Sequence, residues 1–480
     1  MKTINATSRM VTAGLIMAAG VVSIAAWTFG EAAAARGPVS ADPVGASIQQ
    51  QEQKLPKPTT GRTDCTSSLC HDDKLTYSIM HEPVEKKDCL KCHEYVDAER
   101  HLLQLTTPRN LLCSKCHGVQ HLGYEHQPVK DGNCQGCHNP HGSEFPGLLV
   151  DHPTRGLCLQ CHNKDFEHEK YVHGPVAGGA CIVCHEPHSS RQEHLLSKEA
   201  NKLCTQCHFE IETERSPGLH IHSAMDKGCT SCHDPHASEL RYQLHESTPD
   251  LCFQCHENIG ETAEHAESLH AIMDPGACTK CHNPHSSRLA KLQKQVQPDL
   301  CLNCHDEAIE TPDGRTLTNM AQLLKDNPSQ HGPIREGACS ACHQPHSSDK
   351  QNLLLLSYPP EFYARFDMDL YKLCFSCHIP ELVLNPSGKG LTGFRNGTLN
   401  LHWLHVNQEK GRTCRACHEV HASQRDFHIR ESVPFGPTDW ELEINFEKSG
   451  NGGSCKPGCH RKATYDRTAE VEPNTNGSAG

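Results

Sequence analysis

Aromatic side chains are scarce in this 480-residue chain: Phe, Trp and Tyr together make only 5% of it, and all apolar types reach 36%. A chain of this length with so little apolar volume cannot fill several ordinary domains with side chains alone. Long apolar runs are also missing after residue 35, which excludes a multi-span membrane protein. Methionine is rare, with 8 in all. No long heptad pattern and no Gly-X-Y period occurs, so a coiled coil and a collagen are excluded. What is abundant instead is cysteine, 30 residues, and histidine, 38 residues. A non-protein group is expected to occupy the interior.

The first 35 residues read as a secretory signal peptide. Lys2 and Arg9 supply the positive start, Val11 to Phe29 the apolar run, and Ala32 to Ala35 the small-residue cleavage site. The mature chain is then exported, with no membrane span after cleavage. Residues 36–64 read as a flexible linker and 464–480 as a disordered tail.

The cysteines leave no remainder. Thirteen pairs have the form Cys-x-x-Cys-His: Cys89/Cys92/His93, Cys113/Cys116/His117, Cys134/Cys137/His138, Cys158/Cys161/His162, Cys181/Cys184/His185, Cys204/Cys207/His208, Cys229/Cys232/His233, Cys252/Cys255/His256, Cys278/Cys281/His282, Cys301/Cys304/His305, Cys339/Cys342/His343, Cys374/Cys377/His378 and Cys414/Cys417/His418. Two stretched versions stand at the ends, Cys65/Cys70/His71 and Cys455/Cys459/His460. Exported cysteines suggest disulfides, and Cys-x-x-Cys suggests zinc. Neither requires a histidine directly after every second cysteine. The pattern is the attachment signature of c-type haem. Two thiols bond the porphyrin edge and the adjacent imidazole ligates iron from one face. About 15 covalent haems are therefore expected.

The motifs alternate in two settings. One is preceded by Leu, as at Leu112, Leu157, Leu203, Leu251, Leu300 and Leu373. The other is flanked as His-x-Pro-Val before and His-x-Pro-His-x-Ser after, of which His173 to Ser190 is a clean copy. The second setting recurs at steps of 45 to 49 residues up to about residue 305, then at 61 and 75. This divides the chain into regular paired repeats over 65–305 and repeats with insertions over 306–463. Each haem needs a second axial ligand, and two histidine sets keep step with the motifs. The upstream set is His81, His126, His173, His222, His270, His331 and His405; the downstream set is His141, His188, His236, His285, His346 and His421. Recurrence at a fixed offset favours iron ligands over solvated or core histidines. Val96 occupies the downstream place of the first repeat, where His101 is the nearest substitute. For the last haem His428 is preferred over His402. Prolines beside both sets stiffen the loops, and the serines at 143, 190, 238, 287, 348 and 423 are expected to N-cap the next short helix.

The expected fold is mostly irregular with short α-helices, an elongated repeat with a haem core and little or no β-sheet. The insertion Tyr358 to Tyr371 is the one aromatic-rich stretch, read as a packing patch before a docking surface. The formal charge is −13 before any haem propionates are added, which argues against nucleic acid as a partner.

Over residues 65–460 these motifs resemble multihaem c-type cytochromes with doubled Cys-x-x-Cys-His domains, and look like the decahaem periplasmic cytochromes of metal-reducing bacteria. That resemblance implies electron transfer, with partners among other redox proteins: quinol-oxidising cytochromes, an outer-membrane porin or surface cytochromes. It implies a periplasmic, outer-membrane-associated or extracellular place. The rival reading is a reductase of a small nitrogen or sulfur compound with one open haem. No motif here replaces the proximal histidine by lysine, and 23 histidines remain for the distal places.

Overall fold

Proline in the first turn sets the beginning of four of the repeats. The helices Glu82–Glu85, Gln127–Lys130, Gly174–Ala177 and Gly332–Arg335 each start directly after an upstream histidine and carry Pro at N1 or N2. A proline there has no N–H to satisfy and a φ already suited to the helix. The histidine sits at the N-cap in extended conformation, and its imidazole makes no capping bond. Each helix ends within one turn. Gly132, at φ +67°, closes one of them, and a Cβ there would run into the Asn110 carbonyl, so only glycine permits this approach of two successive motifs. The motif cysteines then open 3-10 turns, as in Cys134–Gly136, or end short α-helices, as in Ala200–Cys204.

The computed structural model describes Cys65 and residues 71–100, 102–162, 166, 168–273, 277–311, 314–436 and 440–470. The signal peptide, the linker, Cys70, His101 and the end of the expected tail lie outside the described residues. The longest described helix, Glu257–Glu264, has 8 residues, and no described helix is long and apolar enough to cross a membrane.

Antiparallel two-residue ladders stitch each repeat to the next. Ile79–Met80 pairs with Gly142–Ser143, and Tyr124–Glu125 with Ser189–Ser190. The same pairing joins Tyr171–Val172 to Ala237–Ser238, His220–Ile221 to Ser286–Ser287, Ser268–Leu269 to Ser347–Ser348, and Ser329–Gln330 to Ala422–Ser423. The segment just before an upstream histidine thus lies along the segment just after a downstream one. Apart from short helices and a few local hairpins, such as His93–Asp97 with Leu102–Leu105, the fold is mostly irregular, as the composition demands.

A side-chain core does exist near the C-terminus. Val433, Leu442, Ile444 and Phe446 are buried together, with Phe362, Ile429, Phe435, Cys455 and Tyr465 against them. The aromatic insertion packs here: Tyr371 is fully buried, with Tyr358, Phe366 and Phe375 around it. The strand Ala463–Asp466 pairs with Gly452–Cys455, so ordered chain continues past 464, where the tail was expected to begin. Gly452 and Gly453 allow it, since a Cβ at either would strike the opposing strand.

The serine caps are a correction. Ser190 accepts from the Gln192 N–H and donates to the Leu196 carbonyl, and Ser143, Ser238, Ser287, Ser348 and Ser423 repeat the pattern. They brace a reversing loop instead of starting a helix. The loop turns through two left-handed residues, which breaks any helix before it forms.

Candidate functional site

Two histidines six ångströms apart are the recurring unit. Each downstream histidine faces the motif histidine of the preceding repeat: His141 faces His93, His188 faces His138, His236 faces His185, His285 faces His233, His346 faces His282, and His421 faces His343. Each upstream histidine faces the Leu-preceded motif of its own repeat: His81 with His117, His126 with His162, His173 with His208, His222 with His256, His270 with His305, and His331 with His378. Across these pairs ring centres lie 5.9 to 6.3 Å apart. A metal bonded to an imidazole nitrogen at about 2 Å on either side holds two ring centres about 6 Å apart. The spacing is therefore that of two axial ligands with an iron between them.

Backbone carbonyls fix which nitrogen faces the gap. The Nδ1–H of His81, His126, His173, His222 and His270 donates to the carbonyls of Pro140, Pro187, Pro235, Pro284 and Pro345, at 2.8 to 2.9 Å. A carbonyl only accepts, so Nδ1 holds the proton and Nε2 keeps its lone pair. The motif histidines use a second device. His138, His185, His233, His282, His343 and His418 donate from Nδ1 to the carbonyl nine residues downstream, at Gly147, His194, Tyr242, Lys291, Asn352 and Phe427. All six of those residues are left-handed, with φ between +54° and +72°, and five are not glycine. The following residue is left-handed too. Strain of this kind persists only where surrounding contacts hold it, and here it aims a carbonyl at an imidazole.

Neighbouring pairs are tied through the main chain. The His81 N–H donates to the His141 carbonyl, and His126, His173, His222, His270 and His331 do the same to His188, His236, His285, His346 and His421. Successive motifs also touch through sulfur. Thiol lies against thiol for Cys113 and Cys134, Cys158 and Cys181, Cys204 and Cys229, Cys252 and Cys278, Cys301 and Cys339, and Cys374 and Cys414. The anchors of one site thus abut those of the next. Burial depresses the basicity of His141, His188, His285, His305, His331, His343, His346 and His418, which keeps them neutral and able to offer a lone pair.

The space between the pairs fits porphyrin. One connected void of about 5600 Å³ is lined by the motif cysteines, both histidine sets and the leucines before the cysteines. A single ligand pocket is about 300–1,000 Å³, so this void corresponds to on the order of ten such sites. A mostly apolar lining with facing imidazoles and thiols suits a flat apolar macrocycle with a metal at its centre, and the charged side chains on the same lining suit its propionates.

At the C-terminal end the pattern changes. His418 has no further repeat to supply a downstream histidine. Opposite it stands His402, 6.4 Å away with planes 18° apart. His402 and His405 lie on the helix Leu401–Val406, and His405 is close enough to His460 to feel its charge. Burial pushes the His402 imidazole down to about 4. His428, preferred from sequence, instead lies edge-on against His331 and hydrogen-bonds Ser329. It occupies the place held by Leu148, Leu195, Leu292 and Leu353 in other repeats, a packing position in the left-handed turn. Asn400 positions the helix. It is fully buried, accepts from the His402 and Trp403 N–H groups, and donates to the Leu382 and Asn385 carbonyls. An Asn directly before an apolar helical run is a readable N-cap signal. At the other end His71 precedes the turn Asp72–Leu75, and its expected partner His101 lies outside the described residues.

No curated protein matches the chain. The family model for the doubled CXXCH motif matches it six times, over residues 81–121, 126–167, 173–213, 222–261, 270–310 and 331–381. Those bounds enclose, in each case, one upstream histidine and two motifs, the same unit that the facing imidazoles define. With more than half its length in such units, the chain belongs to the doubled CXXCH motif family and is a multihaem c-type cytochrome that serves electron transfer.

Proposed function

We propose that the chain carries electrons along about 15 covalently attached, mostly bis-histidine haems in an anaerobic or extracellular respiratory route. The observation that carries this reading is the register. The second imidazole of every internal site from His93 to His343 that begins a repeat comes from the following repeat, so none of these six sites is completed within its own repeat. A protein that converted a substrate at one iron would need one open site; this architecture spends its histidines on closing sites and its cysteines on abutting them. Bound haem c supplies a reversible one-electron iron couple at each position.

Each cysteine pair would hold a porphyrin by two thioether bonds, from Cys65/Cys70 through Cys455/Cys459. The histidine after it would ligate the iron on one face. His81, His126, His173, His222, His270, His331 and His405, with His141, His188, His236, His285, His346, His421 and His402, would close the other face, and His101 is assigned to the first site. Two imidazole ligands, in place of imidazole and thioether, favour low potentials. Where a carbonyl bond to Nδ1 occurs, the main chain restrains one ligand of the pair, which limits its rearrangement when the iron charge changes.

Export by the leader over 1–35 would bring the chain to the compartment where c-type haem is attached. Its partners there would be redox proteins: quinol-oxidising cytochromes on one side, and an outer-membrane porin or surface cytochromes on the other. The test is an EPR spectrum of the fully oxidised holoprotein beside its intact mass. Fifteen attached haems and a purely low-spin spectrum are expected. A high-spin signal of about one haem's share would point to an open iron, and reduction of nitrite and hydroxylamine would then be assayed.

A further inference from the structure

Downstream histidines do not share one Nδ1 partner. His236 has Asp234 Oδ1 at 3.6 Å, but that oxygen already accepts the His236 and Ala237 N–H groups. His421 has Glu419 Oε1 at 3.5 Å, but the same carboxylate is ion-paired to Arg430 at 2.6 Å. His285 differs. Glu214 Oε2 lies 3.3 Å from its Nδ1, is buried, and makes no conventional hydrogen bond. Among the described residues no Lys or Arg is paired with that oxygen. The carboxylate reaches His285 from another part of the chain, the residue after the short helix Phe209–Thr213, because the ladder of His220–Ile221 with Ser286–Ser287 draws the two segments together. The imidazoles of His233 and His285 are also the most rotated facing pair, at 37°, where the others span 7° to 29°.

We infer that Glu214 is a positioning residue which, by its buried charge beside Nδ1 of His285, makes the site of Cys229, Cys232, His233 and His285 harder to reduce than its equivalents elsewhere in the chain. The inference rests on the bis-histidine ligation proposed above. A carboxylate charge 3.3 Å from Nδ1, with its oxygen shielded from water, stabilises positive charge on the ring and on the iron it would ligate. That charge favours the more positive iron. The carbonyl partners that serve the upstream histidines bring a dipole but no net negative charge. The chain of sites is then not uniform: one position near its middle is a step in potential, set by a residue outside every motif.

The experiment compares holoprotein carrying Glu214→Gln, Glu214→Asp and, separately, His285→Ala, each checked for full haem content by intact mass. Potentiometric titration of the haem absorbance and low-temperature EPR are the readouts. Glu214→Gln should move one haem's share of the titration to higher potential and shift one set of low-spin g-values; Glu214→Asp should restore both toward the parent. Unchanged titration and g-values in Glu214→Gln would overturn the inference, and so would loss of haem, which would make Glu214 a folding residue. His285→Ala should create one haem's share of high-spin signal. Its absence would overturn the ligation of this site, whatever Glu214 does, so the two readings fail separately.

Discussion

His402 faces His418 across 6.4 Å although both belong to the same final repeat, whereas every earlier site opening a repeat takes its second imidazole from the next one. The end of the array is thus closed from within. Replacing His402 by Ala should leave the His418 iron with one strong ligand, and one haem's share of high-spin signal should appear in the EPR spectrum. His428→Ala should add none, since His428 packs against His331 without facing a motif histidine. A high-spin signal from His428→Ala and none from His402→Ala would reverse the assignment.

Asn400 holds the helix that carries His402 and His405. Its side chain caps two N–H groups and serves two carbonyls, with no exposure to water. Asn400→Ala removes an N-cap and strands buried carbonyls, at a cost of about 2–4 kcal/mol. Denaturant unfolding followed by circular dichroism should show that loss. The Soret band should report weakened ligation at the last two sites first. An unchanged midpoint would show that the helix is held by its packing alone.

The paired motifs, the two histidine sets and their offsets are legible in the sequence because covalent attachment demands fixed residue types at fixed spacing. The direction of pairing is not. Nothing in the offset of His141 from His138 says that it serves His93, since that depends on the ladder between Ile79–Met80 and Gly142–Ser143, and two-residue strands leave no periodic pattern. His428 misled for a related reason. Histidine at that point looks like a ligand in a haem-rich chain, yet the backbone there is the left-handed turn whose other copies carry Leu or Gln. Glu214 was silent because its partner is 71 residues away and outside any motif.

The left-handed carbonyl donors give a pair of opposed predictions. Lys291 holds φ +57° only to present its carbonyl to His282, and Gly147 does the same for His138 without a Cβ. A non-glycine residue in that region costs about 1–2 kcal/mol. Lys291→Gly should therefore be neutral or stabilising by up to about 1 kcal/mol, after the greater freedom of glycine in the unfolded chain is set against it. Gly147→Ala should destabilise by about 1 kcal/mol, although a Cβ at Gly147 meets open space. Thermal unfolding of the two variants should move in opposite directions. Equal losses would mean that the turn, and not its φ, matters.

Ser423 is the most telling of the bracing serines. It is 5% exposed, donates to the Ile429 carbonyl and accepts from the Arg425 N–H, closing the loop that brings the Phe427 carbonyl onto His418. Ser423→Ala leaves a buried acceptor and a buried donor without partners, at about 1–3 kcal/mol. Ser423→Thr keeps the hydroxyl but adds a methyl group in a buried position, so it should retain the bonds and lose stability through crowding. The distinguishing readout is the iron. In Ser423→Ala the loop loosens and the Nδ1 restraint on His418 weakens, so the low-spin g-values of that site should broaden. In Ser423→Thr they should stay sharp. Identical spectra from both variants, with stability lost in each, would reduce the serine to a packing element with no part in aiming the ligand.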